Sequence, residues 1–260
     1  MNKRSASLLA AGLASLVLLL PSVVLAGVVV THADGSRAYL ADGCFKQVDG
    51  ENQTMIFDAN RDVMILVDTT RKIYAEGTVD AFCESGSNLM EQAMAGLSPE
   101  EQEMMKQMMG DLPGQDKTPK RPDVRVERGG DGDSVAGYAT VRYRVTADGK
   151  PYEELWLSAA PPLMEEFGRL GSMVEQTGRL AECFGGGLAA EDLVEAGPEY
   201  IALLKKGYPL KTIKFEDGRP EVQDEVVKVE ETGIPASEFR PPPGYRKVSF
   251  RELMGGQQGP

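Results

Sequence analysis

His32 is the only histidine in this chain of 260 residues, and that count limits the chemistry open to it. A Ser-His-Asp or Cys-His device needs an imidazole to carry a proton. Here it would have to use His32, which stands beside Thr31 and Asp34. The simpler reading of His32 is an exposed residue at a sheet edge. Histidine-rich zinc or iron sites are excluded by the count. The paired acids do not rescue acid–base catalysis. Glu153 and Glu154 are neighbours in a strand-like stretch, so their side chains point to opposite faces and cannot converge on one substrate. Glu165 and Glu166 fall on the flank of a helix, where solvation is the plain expectation. Gly185-Gly186-Gly187 follows a helix and lacks a trailing Lys-Ser/Thr, so it is no phosphate loop. The expectation is a protein that is not an enzyme and carries no cofactor.

Sulfur offers two further chemistries. There are three cysteines, Cys44, Cys83 and Cys183, and no Cys-x-x-Cys. An oxidising compartment favours one disulfide and one leftover thiol. Cys83 and Cys183 both stand in helical sequence and Cys44 in a strand-like stretch, which favours the pairing Cys83–Cys183. The other two pairings stay open. Six of the 12 methionines fall between Met90 and Met109. Thioethers can bind Cu(I), but no His or Cys lies in that segment. Methionine is also the adaptable lining of apolar surfaces that accept varied ligands. A lid over a cavity, or ordinary packing, is preferred to a metal site.

The compartment is written at the N-terminus. Lys3-Arg4, an apolar run from Leu8 to Leu20, and Val24-Leu25-Ala26 have the form of a secretory leader. Cleavage is expected after Ala26, giving a mature chain from Gly27 in the periplasm or outside the cell. No Cys follows the cut, so no lipid anchor is expected. No later segment reaches the roughly 20 apolar residues of a membrane span. The leader holds two of the 28 basic residues and none of the 40 acidic ones, which leaves the mature chain at about −14. Such a chain repels nucleic acid and anionic headgroups.

The elements that would position these residues alternate in kind. Ser36–Asp42, Cys44–Val48, Gln53–Ala59, Asp62–Asp68 and Lys72–Ala75 are short alternating segments split by turn residues such as Asp42-Gly43. They read as an antiparallel meander. Helical spacing follows over about 79–113, a Met-rich insertion, with a fresh start expected at Ser98-Pro99-Glu100-Glu101. Strands resume at Asp123–Glu127, Gly137–Ala147 and Tyr152–Ser158. Helices are expected over Pro161–Phe184 and Pro198–Lys206. A last hairpin spans Leu210–Phe215 and Glu221–Glu231, and Arg246–Phe250 adds an edge strand. Residues 251–260 read as a disordered tail. The expected fold class is α+β: one domain over 27–250, a large curved antiparallel sheet or half-open barrel with helices packed on one face.

Four blocks carry a resemblance. They are Thr54–Asp58 with Val67-Asp68, Lys72-Ile73-Tyr74 and Val79–Cys83; Met90–Met109 around Leu97–Glu101; Ala136–Tyr143 with Asp148-Gly149 and Glu154–Ser158; and Pro235–Tyr245 with Pro243-Gly244-Tyr245. Together they resemble an exported bacterial family known as domain of unknown function 4412. That resemblance implies similarity to the Lol-type lipoprotein carriers, a half-barrel closed by helices around an apolar cavity. It implies no catalytic residues. The function expected on this analogy is binding of a lipid, an acyl chain or another apolar ligand. The residues expected to line the cavity are Met55, Phe57, Ile65, Met105, Tyr143, Trp156 and Phe167. The alternatives are an envelope interaction protein with a filled core, and Cu(I) binding through Met104, Met105, Met108 and Met109.

Overall fold

The computed structural model describes residues 23–49, 53–98, 100–102, 121–171, 173, 176 and 190–255. Twelve strands form one open sheet of mixed α+β class. The first meander is β1 (Val24–His32), β2 (Arg37–Ala41), β3 (Cys44–Val48), β4 (Gln53–Asp58), β5 (Val63–Asp68) and β6 (Ile73–Gly77). The second is β7 (Val124–Asp131), β8 (Val141–Ala147), β9 (Lys150–Ser158), β10 (Tyr208–Glu216) and β11 (Arg219–Pro235). β1 and β11 pair antiparallel and fuse the two. The short β12 (Arg246–Val248) joins the far edge, parallel to β6.

The turns follow from their residues. Asp42-Gly43, Asp148-Gly149 and Asp217-Gly218 all take positive φ at both positions. Such a turn has the twist that a two-residue hairpin requires. Two wider turns share one device. Asp58 and Asp68 each accept the backbone N–H of the arginine three residues on, Arg61 and Arg71. Each also binds that arginine's Nε, at 2.6 and 2.7 Å.

Period-two alternation sorts the apolar residues onto two faces. On one face Val28, Val30, Leu40, Trp156 and Leu210 form a core continuous with Phe57, Met64 and Ala75, and Phe45 packs against both. It is covered by α1 (Val79–Ala95), α2 (Pro161–Arg169) and α5 (Phe250–Gly255). On the other face Leu155 and Leu157 lie under α3 (Ala190–Glu195) and α4 (Pro198–Leu204), through Val194, Tyr200 and Leu203. There too Ile56, Ile65 and Val67 pack on Phe239. Helical cover is therefore two-sided, because a strand with apolar residues at consecutive positions must bury both faces. The helix starts obey ordinary capping. The Thr78 side chain accepts from the Ala81 N–H at 3.2 Å, and α2 opens on Pro161-Pro162. Ser98 and Glu101 form a reciprocal capping box at the expected restart.

Several expectations change. The helix expected over Pro161–Phe184 is broken at Leu170, the C-cap of α2; helical residues resume at Gly171, Met173 and Gln176, and residues 177–184 lie outside the described residues. The tail expected over 251–260 is in part helix, since Phe250 and Leu253 are buried against α1 and β6. Residues 256–260 lie outside the described residues, as do leader residues 1–22. Val24-Leu25-Ala26, expected to close the leader, pair with Pro235, Ile234 and Gly233. Val23 and Val24 are 65% and 59% exposed, so little apolar packing holds that end of β1.

His32 is not an exposed edge residue. β1 lies inside the sheet, and His32 is only 8% exposed. Its Nδ1 meets Asp224 Oδ1 on β11 at 2.8 Å, and its Nε2 is buried with no partner. The Asp224 hydrogen bond raises the imidazole pKa above its ordinary value; burial opposes this but does not cancel it. The protonated form therefore binds the fold better. Its stabilisation is full below the unfolded value of about 6.5 and is lost as pH rises through the folded value. Asp224→Asn should cost about 1 kcal/mol at pH 5, reduced by the exposure of Asp224, and less at pH 9. Urea unfolding at both pH values checks this; an equal cost at both would show the pair is not ionic.

Candidate ligand cavity

A cavity of about 350 Å³ opens between β3–β5 and the helices α1 and α5. Its sheet wall is built in rungs across three strands. Beyond its inner end Phe45, Phe57 and Met64 stand in register in the core, with Phe57 and Met64 both buried. Next come Gln47, Met55 and Leu66, again in register. The last rung holds Gln53 opposite Asp68, with Asp49 just past the end of β3. The wall thus grades from apolar to polar along the strand direction. Phe82 of α1 and Leu253 and Met254 of α5 form the opposite wall. Phe82 is held edge-on to Phe250, with centroids 5.4 Å apart. A volume of this order suits a small ligand, and mainly apolar walls with a few convergent polar groups are the usual form of such sites.

Part of the polar rim is tied to α5. Asp68 binds Arg71 Nε at 2.7 Å, and Arg71 Nη2 donates to the Leu253 carbonyl at 2.6 Å. That second bond ties the β5–β6 turn to α5. Burial pushes the Asp68 carboxyl upward, but the Arg71 amide and guanidinium outweigh it and hold it below its ordinary range. Asp49 accepts from Gln47 Nε2 at 3.1 Å.

The sequence-expected lining residues part company here. Met55 lines the cavity, and Phe57 is buried in the same core beyond it. Ile65 points away, because it pairs with Ile56 and both pack on the opposite face. Tyr143 stands opposite Leu155 and packs on the α3–α4 side, with Lys206 Nζ 5.0 Å from its ring centroid. Trp156 and Phe167 share the cavity's face but belong to the neighbouring core around Leu163 and Tyr208. Met105 lies outside the described residues, as do Met104, Met108 and Met109. Phe82, Leu66, Leu253 and the polar rim were not singled out from sequence. Phe82 carried a signal as an aromatic one turn inside a well-capped helix, and Leu66 as part of the apolar run Val63–Val67.

Other groups with chemical interest do not line this cavity. Cys44 is free, with burial and the charges of Asp58 and Asp42 pushing its thiol up to about 11. It is an unreactive thiol at neutral pH. Cys183 lies outside the described residues, and with it the expected pairing to Cys83 on α1. Glu166 is buried rather than solvated and accepts the Asp42 N–H at 2.8 Å, fastening α2 to the β2–β3 turn. Glu153 and Glu154 do take separate partners, Tyr200 and Arg144. A cleft of about 440 Å³ between β1, β11 and α2 carries Glu165, Glu166 and Glu231 on its wall, which suits an apolar ligand poorly. Among the described residues no three His, Cys, Asp or Glu side chains are grouped to hold a metal. No helix among them is long and apolar enough to cross a membrane.

The geometry defines an open α+β sheet with a helix-covered apolar cavity. Residues 88–245 match the family described as domain of unknown function DUF4412, and the chain belongs to that family. The match leaves out β3–β5 and with them the cavity's whole sheet wall. A crystal structure of MucB is similar at 14% identity and a TM-score of 0.30. The similarity covers 86% of this chain and 59% of that one, so this chain spans about three-fifths of MucB's length. No curated protein matches.

Proposed function

We propose that this chain is an exported, non-enzymatic binding protein of the periplasm or extracellular space. It holds a hydrophobic ligand, such as a lipid or acyl chain, in the cavity between β3–β5 and α1 and α5. The reading includes the kinship to Lol-type carriers and a Cys83–Cys183 disulfide. The observation that carries it is the cavity itself, about 350 Å³ with Met55, Leu66, Phe82, Leu253 and Met254 on its walls. Burial of apolar ligand surface there yields about 25 cal/mol per Å² before ordering costs. Support for a non-enzymatic role comes from His32, the one imidazole, which is tied to Asp224 with its second nitrogen buried.

Native mass spectrometry of the protein recovered from a bacterial periplasm tests the reading. The expected result is an adduct of lipid mass. Leu66→Arg places an unpaired charge on the cavity wall and should weaken retention by about tenfold or more. A bare protein that also fails to bind added amphiphiles would point to the filled-core interaction protein.

A further inference from the structure

We propose that the cavity selects single-chain amphiphiles whose head group carries an ammonium ion. This rests on the ligand-binding reading and names the ligand class. The volume is about 350 Å³, roughly twelve times the ~30 Å³ share of one water molecule. That accommodates one medium-length alkyl chain and not two. The wall sets its direction. The tail lies against Met55 and Leu66, facing Phe82 and Leu253, while the head meets the rung of Gln53 and Asp68 beside Asp49.

The charge at the rim sets the head group. Two carboxylates, Asp49 and Asp68, and one guanidinium, Arg71, line this end. Arg71 gives its Nε–H to Asp68 and an Nη2–H to the Leu253 carbonyl, and its charge is balanced by Asp68, so the rim's remaining charge is the negative one of Asp49. Asp49 is exposed and accepts only a side-chain amide at 3.1 Å among the described residues. A carboxylate accepts several hydrogen bonds and has capacity left for an ammonium donor. An anionic head would instead meet uncompensated negative charge.

Calorimetric titration of the purified protein with decylammonium, decanol and decanoate, below their aggregation concentrations and at low salt, tests this. One tail with three heads isolates the rim. Decylammonium should bind about fivefold more tightly than decanol, and decanoate more weakly than either. Asp49→Asn should abolish the preference. Glu221→Gln, on the exposed far hairpin, should leave it intact. Decanoate binding as tightly as decylammonium overturns the head-group inference and leaves the cavity reading standing. Failure of all three to bind overturns both. A preference that Glu221→Gln reduces as much as Asp49→Asn belongs to the net charge of the protein, and that also overturns the inference.

Discussion

Replacing Glu153 by glutamine should stabilise the protein at pH 8 by about 2–3 kcal/mol and leave it nearly unchanged at pH 4. Glu153 is 1% exposed on β9, beneath α3 and α4. Its Oε2 accepts the Tyr200 hydroxyl at 2.7 Å. Tyr152 donates in turn to Glu195, which Lys214 also binds, both within 2.9 Å. Two carboxylates thus share one lysine. Burial is the main cause that pushes the Glu153 carboxyl up to about 7; Glu195 adds to it, while Tyr200 and Lys214 oppose it. The sign follows directly. The folded state holds its proton to higher pH than the unfolded chain does. Wild-type stability therefore falls as pH rises from about 4.5 to about 7, by up to ~3 kcal/mol. Glutamine keeps an acceptor for Tyr200 and removes the charge. Urea unfolding of both proteins at pH 4 and pH 8 reads this out. A wild-type stability that is flat across that range would sink the argument.

The second large effect is covalent. Removing the proposed Cys83–Cys183 bond by Cys183→Ser should cost about 4 kcal/mol, since it closes a loop of about 100 residues. Cys83→Ser should cost the same, and the double variant no more than either. Thiol titration in denaturant without reductant should find one free thiol, that of Cys44. Three free thiols would remove the bond from the account. Cys83 follows Phe82, a wall of the cavity, so the single variants should also weaken ligand retention.

The sequence made the frame of this fold readable where local chemistry alone decides conformation. Asp42-Gly43, Asp148-Gly149 and Asp217-Gly218 marked tight hairpins, and Ser98-Pro99-Glu100-Glu101 marked a helix start through its cap residue, proline and first-turn acids. β1 was hidden because Val24-Leu25-Ala26 also satisfies a cleavage pattern and no turn residue separates it from Gly27–Val30. His32 was misplaced for that reason: an inner strand was read as an edge. Thr54–Phe57 and Val63–Val67 are nearly continuous apolar runs, which speak for burial but not for which face, since consecutive apolar residues erase the alternation that would show it. Met55 falls on the cavity wall, Phe57 in the core beyond it and Ile65 on the opposite face. The rim was invisible for a different reason. Asp68 and Arg71 form a local turn device, and only the docking of α5, whose Ser249 cap and Arg-Glu-Leu-Met run favour a helix without saying where it packs, brings Leu253 to them.

The two meanders share a single seam, and that seam orders events in time. β1 pairs with β11 across about 200 residues of chain, and β6 with β12 across more than about 170. Closing such separations is slow, because the chain entropy is lost before the contacts are gained. Both partners of the first meander, β11 and β12, come from the last 42 residues of the chain. A growing chain therefore reaches its C-terminal residues with the edges of β1 and β6 still unpaired. The native order of the sheet thus depends on two pairings of long sequence separation, both made by residues 219–248.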